Sequence, residues 1–457
     1  MVSEFIKNKH LANRAGFGIS LAQVEQFEHQ STVEVWKAYS TPQPFKPIGF
    51  DAPTIDFEYS TAAKLNALAK KKVQQLNRRQ NIEINLNFLM EMVHAEDQLR
   101  EKMAFFWHGH FASRVANPKF SAHILNAIRK NALGNFKDLL YAVSKAPAML
   151  SFLNNQQNKK GHPNENFARE VMELFTIGRG KYTEVDVREA ARAFTGWSYN
   201  KEAQFVERKR FHDQGRKTFL GRTGHFDGHA ILDIILEQPA TAKFITNKLY
   251  RFLVNEQVDD EIVDMLSNGF YESGYDIAKL LDTIFTSSWF YDQKHIGRKI
   301  KSPIELMVGI MRVLPMKIEN PENLILYQRL LGQMLLYPPN VSGWPSGKAW
   351  IDSSTLLLRM QIPQIWSGLR PLEFDVPNDD DIDMGLKQKR PLAKGFKNPH
   401  MSIAWEQVEA VFAARDTSAI LLQKEPTFNQ RALEKYADGS AKMDIIETMS
   451  IPEYQLC

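Results

Sequence analysis

Residues Asn164–Trp197 read NENFAREVMELFTIGRGKYTEVDVREAARAFTGW, and this stretch decides the fold class. At 3.6 residues per turn, Phe167, Ala168, Val171, Met172, Leu174 and Phe175 share one face of a helix. Glu165, Asn166, Arg169, Glu170 and Glu173 share the other, with Asn166, Glu170 and Glu173 close to one line. Gly178 stops this helix, because glycine adopts the left-handed conformation beyond a helix end without strain. Thr183 and Asp186 then form a capping box for a second helix, which runs to about Phe194 and carries Arg188, Glu189 and Arg192. The reading is a helical hairpin dense in carboxylates and guanidinium groups. Such a face either meets solvent, with pairs such as Glu165–Arg169 adding about 0.2–0.5 kcal/mol each, or meets a ligand or metal.

Working outward, histidines supply the other half of a candidate site. Trp107-His-Gly-His-Phe111 ends a long helical pattern within an aromatic cluster. His108 and His110 point the same way only where the backbone is locally extended, which Gly109 permits, and neutral imidazoles so placed ligate one metal. The alternative is a pair of hydrogen-bonded histidines among Phe105, Phe106, Trp107 and Phe111. His225-Phe-Asp-Gly-His229 has the spacing of two ligands on one helix face, yet Asp227 is a plausible N-cap that leaves His225 outside the helix. The candidate metal ligands are therefore His108, His110, His225 and His229. The candidate catalytic groups are Glu170 and Glu173, with Arg169 and Asn166 beside them. Two imidazoles with carboxylates suit a divalent zinc, manganese or iron ion. Glu170 and Glu173 also suit acid and base roles without a metal, where burial splits their pKa values. Glu91-x-x-His94 matches half of a di-iron carboxylate signature whose second half the sequence lacks, and a haem held by His108 or His110 is a further reading.

The chain of 457 residues is 44% hydrophobic and 24% charged, an ordinary globular composition. Its 57 basic and 53 acidic residues balance to +4, too even to argue for nucleic acid or an anionic membrane as partner. The single cysteine, Cys457, excludes an intrachain disulfide and a cysteine-cluster metal site. No secretory leader pattern and no long apolar run is present, so the expectation is a cytoplasmic protein without a membrane span.

Most of the remaining chain is helical in pattern, and GxGxxG, P-loop, GxSxG and HExxH motifs are absent. The expected class is predominantly all-α, a multi-helix bundle with long irregular loops and at most one small β-hairpin around residues 204–220, where Arg208, Lys209, Arg210, Arg216, Lys217 and Arg222 gather. Ser302, Pro303 and Glu305 mark a strong helix start. Trp344 and Trp350 stand in a rigid proline- and glycine-rich loop. Residues 1–370 read as one helical domain, 371–398 as an insertion of acidic then basic residues, and 399–457 as helices packing back on the core.

The blocks HLANRAGFG, LREKMAFFWHGHF, NENFAREVMELFTIGRGKYTEVDVREAARAFTGW, HFDGHAILDIIL, KSPIELMVGIMR, PPNVSGWPSGKAWIDSSTLLLR and SIPEYQL span nearly the whole chain. Together they resemble the bacterial family known as domain of unknown function 1800. The resemblance implies no established activity. It does imply a neighbour, since members are often encoded beside an exported family, domain of unknown function 1501, and many relatives carry export signals. Two functions compete: a metal-dependent enzyme with a His/Glu site, or a non-catalytic helical binding or assembly protein working with the co-encoded partner.

Overall fold

A computed structural model describes residues 2–51, 67–372, 401–413, 415–424 and 439–457. All but the first two residues of the expected 371–398 insertion lie outside the described residues. The fold is predominantly all-α, and its helices start and stop where local chemistry directs. The Thr183 hydroxyl accepts from the Asp186 N–H while Asp186 caps Thr183 in return, opening the Glu184–Ala193 helix. Ser302 and Glu305 do the same for Pro303–Val313, with Pro303 in the first turn. Asp227 caps Gly228–Leu236 and leaves His225 outside the helix, as its position predicts.

One continuous apolar core runs through the molecule, from Leu11 and Phe17 through Leu89, Trp107, Leu139 and Phe194 to Ile310, Trp366 and Met449. The Ala67–His94 helix shows how burial follows sequence: Lys70, Lys71 and Lys72 lie in its exposed first turns, while Phe88, Leu89 and Met92 are buried near its end. Two of the buried carboxylates are paired with buried cations. Arg129 donates to both oxygens of Glu101, at 2.7 and 2.8 Å, and to Glu91 at 3.2 Å. Lys102 and Lys299 hold Glu305 at 2.6 and 3.0 Å.

Two sequence expectations need correction. Strand structure is richer than one hairpin near 204–220: Trp197–Tyr199 pairs with Phe205–Glu207, Lys217–Phe219 pairs with Arg222–Gly224, and Met316–Ile318 pairs with the distant Met401–Ile403. The His-x-His segment is not extended either. The Gln98–His110 helix continues through both histidines, because its aromatic side chains bury on several sides and give no period-2 face. Among the described residues, no helix is long and apolar enough to cross a membrane.

Candidate functional site

The carboxylate helix is α-helical over Asn166–Glu170 and then widens to a π-turn over Val171–Phe175. Such turns insert a residue into the helical ladder and recur at functional sites. Here the widening keeps Phe167, Val171, Met172 and Phe175 buried together and ends the helix at Gly178, whose φ is +81°. The carbonyls of the last turn are left without helical partners. Two side chains from elsewhere meet them. His110 Nε2–H donates to the Phe175 carbonyl at 3.0 Å, and Lys248 Nζ donates to the Leu174 carbonyl at 3.0 Å and to His110 Nδ1 at 3.3 Å. A cation at a helix C-terminus also opposes the negative end of the dipole. Burial, and then the neighbouring Lys248, hold the His110 pKa well below its usual value, and burial lowers that of Lys248 to about 8.

His108 points the other way, as helical spacing requires of residues two apart. Its Nε2 accepts the Leu336 N–H at 3.0 Å, and its ring lies 5.4 Å from that of Trp344. Burial lowers its pKa to about 4. Leu336 has φ of +64°, a costly conformation for a branched residue, so His108 anchors strained backbone. Asn85 Nδ2 grips the preceding Leu335 carbonyl at 2.7 Å. Gly343 then packs on the end of the histidine helix so closely that a Cβ there would sit 2.3 Å from the Gly109 carbonyl oxygen.

The acidic residues face outward. Arg169 pairs with Glu165 at 3.0 Å and with Glu184 at 2.7 Å, Glu173 takes Arg179 at 2.5 Å and the Tyr182 hydroxyl at 3.1 Å, and the Asn166 backbone N–H is capped by Asn164. Glu170 has no hydrogen bond or ion pair among the described residues, and partial burial, with Glu173 beside it, raises its carboxyl pKa. His225 is exposed and bonded to the Gln214 carbonyl at 2.9 Å. His229 packs between the rings of Tyr141 and Trp197, with Asp227 at 3.8 Å. Glu91 of the di-iron half-signature is bound to Arg129. Among the described residues no three His, Cys, Asp or Glu side chains are grouped to hold a metal ion. His110 does reach the carboxylate helix, but through a backbone carbonyl.

The partners that the sequence left unnamed are Lys248 and the Leu336 N–H; neither carries a motif. The basic cluster of Arg208, Lys209 and Arg210 is legible in the sequence, but its meeting with Lys159 and Lys160 is not. The loop with Lys159 and Lys160 meets the segment Arg208–Phe211, where the Lys160 N–H donates to the Phe211 carbonyl at 2.8 Å. The Phe211 ring lies between Lys159 Nζ at 4.9 Å and the Arg210 guanidinium at 4.4 Å.

The family described as a protein of unknown function, DUF1800, matches residues 10–456. The chain belongs to that family. No curated protein and no solved structure matches it. The DUF1800 match takes in the buried histidine helix, the π-turn, the Trp344 loop and the basic lobe alike.

Proposed function

We propose that this DUF1800 chain is a non-catalytic helical binding protein that docks an acidic protein surface through the basic lobe of Lys159, Lys160, Arg208, Lys209 and Arg210. The observation that carries the reading is that these five cations are exposed and form no ion pair among the described residues, whereas nearby Arg169, Arg179, Arg192 and Arg222 all do. Solvated cations cost little on association and steer an acidic partner by long-range attraction. The lobe is held by the backbone, since Arg208 N–H donates to Gly196 O at 2.8 Å and Gly196 N–H to Asn158 O at 3.0 Å. A rigid presentation lowers the cost of ordering on binding. The even total charge favours an acidic protein over nucleic acid. The DUF1501 protein encoded beside family members is the first partner to test.

The decisive experiment measures binding of that purified protein by the wild-type chain and by the triple variant Lys159→Glu, Arg208→Glu, Arg210→Glu. The expected result is an affinity that weakens at least tenfold in the variant and falls steeply between about 50 and 300 mM salt. Unchanged binding by the variant, or capture of RNA in place of the acidic protein, overturns the reading.

A second reading keeps an enzyme in view, on one observation: Glu170 is a half-buried carboxyl without a partner among the described residues, with a raised pKa, beside an ion-paired Glu173. In it Glu170 acts as general acid and Glu173 as its charged neighbour, and no metal is needed. The metal form of the enzyme would require one metal per chain in protein purified without an affinity tag, lost in Glu170→Ala.

A further inference from the structure

Lys248 and His110 meet at the last turn of the acidic helix in a geometry that suits a nucleophile as well as a cap. The Phe175 carbonyl oxygen can only accept, so the ring proton of His110 sits on Nε2 and its Nδ1 keeps a lone pair. Lys248 Nζ faces that lone pair at 3.3 Å and the Leu174 carbonyl at 3.0 Å. Two acceptors match the two N–H bonds of a neutral amine. The remaining tetrahedral direction on the nitrogen, its own lone pair, then points away from both. Among the described residues no carboxylate stands against Lys248 to hold its proton, and burial favours the neutral form.

The surroundings set this amine apart from other inward-turned cations. Arg14 in the first helix, Glu4–Ala15, is committed to the Cys457 carbonyl at 2.7 Å, Lys102 to Glu305 at 2.6 Å and Lys301 to the Tyr454 carbonyl at 2.7 Å, and all three are buried. Lys248, in the Pro239–Leu253 helix, is part-exposed, so a small molecule can reach it from solvent. Phe244, one turn earlier on the same face, stands with its ring 4.7 Å from Nζ. Gly178 lets that ring pack close, since a Cβ there would sit 2.8 Å from it. Phe106 stacks on His110 with ring centroids 6.1 Å apart. The approach is therefore apolar, and the ring that orients the amine is itself fixed by a third group, as activated nucleophiles require.

We infer that Lys248 is the point of covalent attachment for a small aldehyde with an apolar body, its amine held for attack by the Leu174 carbonyl and by His110 as a positioning residue. The Nζ lone pair bonds to the carbonyl carbon while the C=O π pair moves to oxygen. Two protons pass from nitrogen to oxygen through solvent, the oxygen leaves as water, and an imine remains. The widened turn gains a purpose here, since its Leu174 and Phe175 carbonyls, free of helical partners, organise both side chains. Attachment is reversible and needs no turnover. The site shares no residue with the basic lobe and does not depend on docking there.

Butyraldehyde and sodium cyanoborohydride, which delivers hydride to the imine carbon and makes the adduct permanent, are added to the full chain at about pH 7.5, and labelled lysines are mapped by peptide mass spectrometry. Lys248 is expected to label at least about tenfold faster than the exposed Lys70, Lys71 and Lys72. Lys248→Arg keeps a cation and its donors at the turn but forms no imine, so the fast phase should vanish with little change in melting temperature. His110→Gln retains a donor for Phe175 but loses the Nδ1 acceptor and admits water. It is expected to slow Lys248 at least about threefold and to move the pH midpoint of its labelling upward, with Lys70 unaffected. Labelling of Lys248 no faster than Lys70, a fast phase that survives Lys248→Arg, or identical Lys248 kinetics in His110→Gln overturns the inference. So does reaction at Lys248 only in urea, the outcome for a lysine that merely caps the helix.

Discussion

His110 Nε2 lies 3.0 Å from the carbonyl oxygen of Phe175. The imidazole therefore serves the backbone of the acidic helix, with the carboxylates turned elsewhere. His110→Ala leaves a buried carbonyl and the Lys248 ammonium with fewer partners, and is expected to cost about 1–3 kcal/mol in urea unfolding. His110→Gln, which restores a donor, recovers part of that loss. Equal stability of wild type and His110→Ala would remove this bond from the account of the fold.

The buried histidines also set a pH dependence. The folded pKa of His108, about 4, lies below its unfolded value. The unfolded chain thus binds the extra proton first, so the stability His108 contributes is complete above about pH 6.5 and is lost as pH falls toward 4. His110 acts in the same direction. Urea midpoints measured across that window are expected to fall with acid, less steeply in His108→Gln. A flat profile in wild type contradicts the assignment.

Glycine tests separate conformation from space. Gly332 and Gly343 both have positive φ, but a Cβ at Gly332 meets open space whereas one at Gly343 meets the Gly109 carbonyl. Gly332→Ala should cost about 1–2 kcal/mol for the backbone conformation alone. Gly343→Ala should cost a further ~1–3 kcal/mol or fail to fold, because backbone must move. Comparable thermal melting of the two variants would refute the close packing.

Glu305 is held between two buried ammonium groups. Glu305→Ala strands both and removes the return half of a helix cap, with an expected loss of about 3–5 kcal/mol. Adding Lys299→Met to that variant relieves one stranded charge and should raise the melting temperature again; a further drop would show that Lys299 is not stabilised by Glu305.

The sequence disclosed what is coded locally. Thr183 with Asp186, Ser302 with Glu305, Asp227 and Gly178 each act within a few residues, and each stands where expected. The Glu165–Arg169 pair belongs to the same class. What stayed hidden depends on backbone atoms of distant segments: Phe175 O for His110, and Leu336 N for His108. A carbonyl has no letter in the sequence, so no spacing rule points to it. The π-turn was equally silent, since one inserted residue leaves the apolar pattern of Phe167–Phe175 nearly intact. The basic lobe joins residues about fifty positions apart, and only folding brings Lys159 to Phe211.

Arg14 and Cys457, hydrogen-bonded at a separation of 443 positions, bear on how the molecule is made. Contacts of such sequence distance pay their loop-closure entropy late. During synthesis the first helix emerges long before the segment that covers it, so its arginine stays solvated until Cys457 has been made and can fold back. Ribosome-bound chains truncated ahead of Cys457 should for that reason remain open to proteases near the first helix.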